Sequence, residues 1–173
     1  SLIAILFISY SSQAQSDAKS SVFEGNDLET FSKAMSVNTG DFFNGDKLTV
    51  FTPTNAAFEN LSTEKYVEMP SDSKLRSTVY YHVVQGNLKS SDLKALIKEK
   101  GGRAMLKTLE GTTLTVSENS NGDIFVVDNL GRVASVSEPD LSQGNVIYHK
   151  IDKVRLDELC KKKITPWLSK EKS

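Results

Sequence analysis

An α+β fold is predicted, and three observations carry the prediction. The first half of the chain mixes segments of helical spacing with short apolar strands. The second half is mostly strand-like, with turn residues between the strands. The length of 173 residues and the hydrophobic content of 38% suit one domain with a buried core. No internal repeat divides the sequence.

The elements follow in order. Asn26 caps a first helix, with Glu29 as its capping-box partner, and Leu28, Phe31, Ala34 and Met35 form its apolar stripe. The stretch Asn38–Asp46 carries two glycines and ends it. Leu48–Phe51 reads as a buried strand. Thr52 and Pro53 read as the N-cap and first position of a short helix, Asn55–Leu61. Ser71–Val79 is a further helix. Tyr80–Val84 turns aromatic and β-branched, so the chain is expected to pass into a strand there, until Gly86 breaks it. Ser90 and Ser91 cap a helix whose stripe is Leu93, Leu96 and Ile97, and Gly101-Gly102 stops it. Thr112–Val116 and Ile124–Val127 flank Asn119-Ser120-Asn121-Gly122, a hairpin turn. Arg132–Val136 is the next strand, and Val146–Ile151 and Val154–Leu156 close the domain.

Composition narrows the function classes. A formal net charge of −1 leaves no overall footprint for nucleic acid or an anionic membrane. Two histidines, His82 and His149, and one cysteine, Cys160, form no cluster with metal-ligand spacing, and no cofactor motif stands out. Cys160 has no internal partner, so it is either a lone thiol or pairs with another chain.

The opening segment, residues 1–14, reads as a signal peptide that lacks its own basic start. An apolar run, Leu2–Ile8, precedes small residues up to Ala14. It is too short to span a bilayer, which needs about 20 residues. Export follows as the expectation, to an extracellular, periplasmic or envelope location, with residues 15–21 a linker. The tail, residues 158–173, carries Lys161-Lys162-Lys163, which reads as a solvated face or frayed terminus, and Trp167, a candidate to dock the tail onto the body.

Each polar candidate has two readings. Thr52, Thr54 and Asn55 form either a binding spot or helix caps, and capping explains both residue type and position. His82 and His149 are either general bases or core histidines, and no Gly-x-Ser-x-Gly elbow is present to support catalysis. Asn119–Asp123 has oxygen-bearing side chains but lacks the full acidic loop of a calcium site, and reads as a turn. Asn60-Leu61-Ser62 is a glycosylation sequon.

Three blocks resemble the fasciclin family. Thr49-Val50-Phe51-Thr52-Pro53-Thr54-Asn55-Ala56-Ala57-Phe58 is similar to its first signature, TVFAPTNEAF, departing at Thr52 and Ala56. Tyr81-His82-Val83-Val84 resembles the middle Tyr-His signature. Asn145-Val146-Ile147-Tyr148-His149-Lys150-Ile151-Asp152 resembles the last, NGVIHVID, with Val146 in place of the glycine. The resemblance implies a β-wedge or sandwich with several packed helices over residues 22–157. It implies a non-catalytic module that binds an extracellular or cell-surface protein or matrix component. Some animal members carry Glu-Pro-Asp-Ile-Met just before the last signature, a segment linked with integrin adhesion. Glu138-Pro139-Asp140-Leu141-Ser142 stands at the same offset here. The resemblance therefore assigns partner binding to Tyr81, His82, Glu138, Asp140 and Leu141, with Pro139 setting a turn. A small-ligand groove on the same fold is the alternative, and a histidine-dependent hydrolase the third reading.

Overall fold

The computed structural model describes residues 27–38, 45–57 and 72–153. The signal segment, the Asn60 sequon, the strand at Val154–Leu156, Cys160, the lysine run and Trp167 lie outside the described residues.

The sheet is organised around β1 (Leu48–Pro53), in which all six residues are buried. An unbroken run of apolar and β-branched residues suits a strand covered on both faces. β1 pairs antiparallel with β2 (Val83–Gln85) and parallel with β7 (Val146–Ile151). The meander β3 (Arg103–Lys107), β4 (Thr113–Glu118), β5 (Ile124–Val127) and β6 (Val133–Gln143) is antiparallel throughout, and β6 returns to β7. The strand order is β2-β1-β7-β6-β5-β4-β3. The two ends of the sheet meet through a bridge between Val84 and Thr108 and a hydrogen bond from Leu109 N–H to the Val83 carbonyl of 2.8 Å. The sheet thus comes close to a closed barrel, which leaves little free edge.

Alternation along the strands divides the core in two. Phe51 and Ile151 point to one face, where they join Leu114, Val116 and Val126 and the stripe of helix α3 (Ser90–Glu99), Leu93 and Ile97. Leu48, Val50, Val146 and Tyr148 point to the other, where Phe31 and Met35 of α1 (Glu29–Asn38) and Val79 of α2 (Asp72–Tyr81) cover them. The α+β fold expected from the sequence is the fold observed.

Several boundaries moved, each for a tertiary reason. α2 continues through Tyr81, so Tyr80 and Tyr81 are helical and only Val83–Gln85 form the strand. Contacts of Tyr81 with the core outweigh the β-propensity of its side chain. β3 begins at Arg103, a strand not anticipated because Ala104, Met105 and Lys107 are helix-tolerant residues; its exposed-buried alternation identifies it. Thr52 and Pro53 belong to β1, and Thr54 is the capping residue, its Oγ1 accepting from Ala57 N–H at 3.3 Å. Asn55 then reaches across the fold, its Oδ1 accepting from Thr30 N–H in the first turn of α1 at 3.0 Å. In the last signature, Gly144 with φ 58 makes the turn, so Val146 is free to enter the strand and is 4% exposed.

Thr52 departs from the alanine of the first signature, and the structure gives it no compensation. It is fully buried and its Oγ1 has no hydrogen-bond partner. An unsatisfied buried hydroxyl costs about 1–3 kcal/mol. Thr52→Val is therefore expected to stabilise the protein by about 1 kcal/mol, read as a higher denaturant midpoint at unchanged m-value.

Candidate functional site

Strand β6 carries the site. It extends eleven residues, well past its pairing with β5 at Val133–Ser135, and Glu138–Leu141 lies inside this strand rather than in a turn. Its register against β7 shifts twice, between Val136 and Glu138 and between Glu138 and Leu141. Proline has no N–H to give the ladder, and Asp140 adopts φ 66, a left-handed conformation that aspartate tolerates better than most residues. Bulges absorb both features, and Ser137–Asp140 stand as an exposed ridge along the strand.

Three anchors hold the ridge. Lys150 of β7 bridges Glu138 at 2.7 Å and Asp27 at 3.0 Å, and the Glu138 hydrogen bond is the main cause that raises the Lys150 pKa. Both oxygens of Asp140 accept from Ser90: Oδ1 from its N–H at 2.6 Å and Oδ2 from its hydroxyl. Ser90 opens α3, so the carboxylate meets a free N–H at the positive end of the helix. Burial pulls the Asp140 pKa up, but the two Ser90 bonds, with His149 and Lys89 nearby, outweigh it and hold the carboxyl below its ordinary value.

The third anchor is His149. Its Nδ1 accepts from Asp140 N–H at 3.3 Å, so Nε2 carries the proton and donates to the Leu88 carbonyl at 2.8 Å. The ring stacks on Phe51, with centroids 5.6 Å apart and planes at 28°. Burial is the main cause that lowers its pKa; the Leu88 bond and the Asp140 charge oppose it in part. Leu88 is itself fixed, because its N–H donates to Thr49 Oγ1 at 2.8 Å and that hydroxyl donates to the Gly86 carbonyl at 2.7 Å. Strands β1, β6 and β7 thus converge on the entry to α3.

The residues assigned by resemblance separate into two groups. Glu138, Asp140 and Leu141 come together on the ridge, although Leu141 is only half exposed and packs on the second core. Tyr81 and His82 lie elsewhere, inside the fold at 1% and 0% exposure. His82 Nδ1 donates to the Thr78 carbonyl at 2.6 Å and its ring meets Phe31 edge-on. Both histidines are core residues bonded to main chain, fully buried, and neither lines the groove between α3 and β4. Leu88 was not singled out in the sequence, Ser90 only as a helix cap, and Lys150 only as a member of the last signature. Ser90 and Leu88 lie 50 and 61 positions from their partners, and no local pattern reports such pairings.

Two further candidates are accounted for. The Asn119–Asp123 segment is a closed turn: Asn119 Oδ1 accepts from the N–H groups of Asn121 and Asp123, each at 2.9 Å, and Gly122 takes φ 86. Among the described residues no group of three or more His, Cys, Asp or Glu is placed to hold a metal ion. An open groove of about 510 Å³ lies between α3 and β4, but Lys94 crosses it to reach Glu118 at 3.0 Å and the Gly122 carbonyl at 2.7 Å. That ion pair favours a solvated crease over an apolar ligand site.

A nearly closed seven-stranded sheet, helices on both of its faces and a bulged ridge before the last strand define an α+β class of fold. Its family is settled by comparison: the fasciclin domain model matches residues 26–156, and the chain belongs to that family. The chain is 34% identical over 113 residues to the cell surface glycolipoprotein MPB83 of Mycobacterium bovis, covering 61% of this chain and 46% of that protein. It is 28% identical over 120 residues to the immunogenic protein MPB70 of Mycobacterium bovis, covering 60% of this chain and 62% of the relative. The matched region thus spans about half the length of the first of these relatives. The FAS1 domain pair of the insect cell adhesion molecule fasciclin I shares the fold, with a TM-score of 0.59 at 24% identity, over 76% of this chain and 45% of that one. Among the described residues no helix is long and apolar enough to cross a membrane.

Proposed function

We propose that this chain is an extracellular or cell-envelope fasciclin module that binds a cell-surface protein or matrix component through the β6 ridge. The observation that carries the reading is the ridge itself: a central strand is bulged where Ser137–Asp140 stand exposed, and Lys150, Ser90 and His149 hold it in one geometry. A preorganised exposed segment loses little entropy when a partner docks. Similarity to a cell surface glycolipoprotein and to an insect adhesion fold supports the location and the class of partner. The reading assigns contact to Glu138, Asp140 and Leu141. Tyr81 and His82 would then act from below, by keeping α2 and β2 in place. A single module binds weakly, and clustering on a surface would add avidity.

The test is surface binding of the parent chain to purified matrix proteins and intact cells, beside Glu138→Lys. This residue is exposed, and loss of one exposed ion pair costs about 0–1 kcal/mol of stability, so the variant stays folded. Saturable parent binding that Glu138→Lys weakens about tenfold or more supports the ridge, since charge reversal at a contact carries effects of that size. Equal binding by both removes the ridge from the reading, and no saturable binding by the parent removes adhesion.

A further inference from the structure

A second exposed surface lies on the outward face of β3–β6. Helices α1 and α2 cover the second core only where it is built from β1, β2 and β7. The same sheet face continues across β3–β6, and there no described helix lies on it. The pairing register lines up its outward residues: Met105 is opposite Thr115, Thr115 opposite Val127, and Val127 opposite Val133. This row crosses four strands, and its two ends are open, with Met105 79% and Val133 43% exposed. The adjoining row places Phe125 between Ser117 and Ser135. Leu130, in the turn that follows β5, is 41% exposed. These three residues are the large apolar side chains that stand most exposed among the described residues, and all belong to this region.

Charge tells what the face fits. Its outward charged residues are Arg103 and Lys107, on either side of Met105 in β3, both exposed. The outward positions of β4, β5 and the paired part of β6 are Thr, Ser, Phe and Val, so no carboxylate stands on the face. The acids nearest the face already have partners: Asp128 in Arg132 and the N–H groups of Leu130 and Arg132, Asp152 in the Ser135 N–H, Asp123 in Asn119, and Glu118 in Lys94. An apolar band with a cationic margin is complementary to an apolar partner surface with an acidic margin. Apart from Met105 and Phe125 its apolar side chains are short, so it suits another protein surface better than insertion among lipids.

We propose that the outward face of β3–β6 is a second docking surface, one that takes a partner protein presenting apolar side chains flanked by carboxylates. Met105, Val127 and Val133 supply the apolar contact, and Arg103 and Lys107 set the charge preference. Methionine adapts its shape to irregular partners, which suits the most exposed position of the row. The proposal does not depend on the β6 ridge.

The test uses the full chain, isotope-labelled, with two synthetic decapeptides as probes. One alternates leucine or valine with glutamate; its twin carries lysine in place of glutamate. The expected result is saturable shifts of the Met105, Thr115, Val127 and Val133 amide signals with the acidic peptide and none with the basic one. The Arg103→Glu/Lys107→Glu double variant is expected to weaken the acidic peptide about tenfold and to admit the basic one. Met105→Ser is expected to weaken the acidic peptide without changing the melting temperature, because its side chain is in solvent. Equal response to both peptides, shifts confined to the β6 ridge, or no binding at millimolar peptide would overturn the proposal. So would concentration-dependent shifts at these positions without peptide, which would make the occupant a second copy, or shifts there produced by phosphatidylglycerol vesicles alone. Glu138→Lys should leave peptide binding unchanged, so failure here and failure of the ridge are read separately.

Discussion

Replacing Tyr81 with alanine will cost about 3–5 kcal/mol of folding free energy, a large share of the stability of a domain of this size. The ring is among the largest fully buried side chains, it joins the core of Phe51, Leu93 and Leu114, and it meets the His82 ring edge-on at 6.0 Å. Truncation leaves a cavity at the point where α2 turns into β2. Tyr81→Phe keeps the ring and is expected to cost less than about 1.5 kcal/mol, because the volume is conserved. Urea unfolding of the two variants checks both statements. The comparison also governs adhesion assays: a binding loss in Tyr81→Ala that Tyr81→Phe lacks reports unfolding, whereas equal loss in both would trace to the hydroxyl and its hydrogen bond to Asn129 Oδ1. If Tyr81→Ala proves as stable as the parent, the buried placement of this side chain is overturned.

Removing the His149 side chain carries an effect of similar size, about 3–5 kcal/mol for His149→Ala, since it vacates the stack on Phe51 and strands the Leu88 carbonyl and the Asp140 N–H. It also has a pH signature. The folded state lowers the His149 pKa from 6.5, so the unfolded chain takes up the proton first. The contribution of the neutral ring is therefore complete above pH 6.5. It is lost progressively as pH falls from there to the folded value, below which both states carry the proton. Once protonated, Nδ1 no longer accepts from Asp140, and the ridge loses one anchor. Asp140 acts in a lower window: its carboxyl is held below 3.8, so its contribution fades only as pH falls beneath that value. Stability measured from pH 7.5 downward is expected to decline first near 6.5, and His149→Gln is expected to flatten that first decline. An unchanged slope in the variant would remove His149 as its source.

The capping role of Asp140 is separable from the histidine. Asp140→Ala removes both acceptors of Ser90 and is expected to cost about 1–2 kcal/mol, the usual range for losing a helix N-terminal partner. Asp140→Asn keeps one acceptor and tolerates the left-handed backbone, so it should retain most of that stability. Thermal melts of the pair distinguish the loss of the hydrogen bonds from strain at φ 66.

Much of this protein is written locally in its sequence. The stripe of Leu93 and Ile97 bounded by Gly101-Gly102 gave α3, and the alternation of β4 and β5 around Asn119–Gly122 gave their hairpin, because side-chain periodicity and turn chemistry act over a few residues. The signatures around Phe51, His82 and His149 identified the family for the same reason: each is a short run of neighbours. Only the tertiary structure decided the rest. It made Thr52 a buried strand residue rather than a cap and turned Asn55 toward α1, 25 positions earlier. It placed Tyr81 and His82 in the core, and it joined Asp140 to Ser90 and His149 to Leu88 across 50 and 61 positions. Pairings of that span arise when the sheet closes and brings distant strands to the start of one helix. Their chemistry is local, but their geometry belongs to the whole fold.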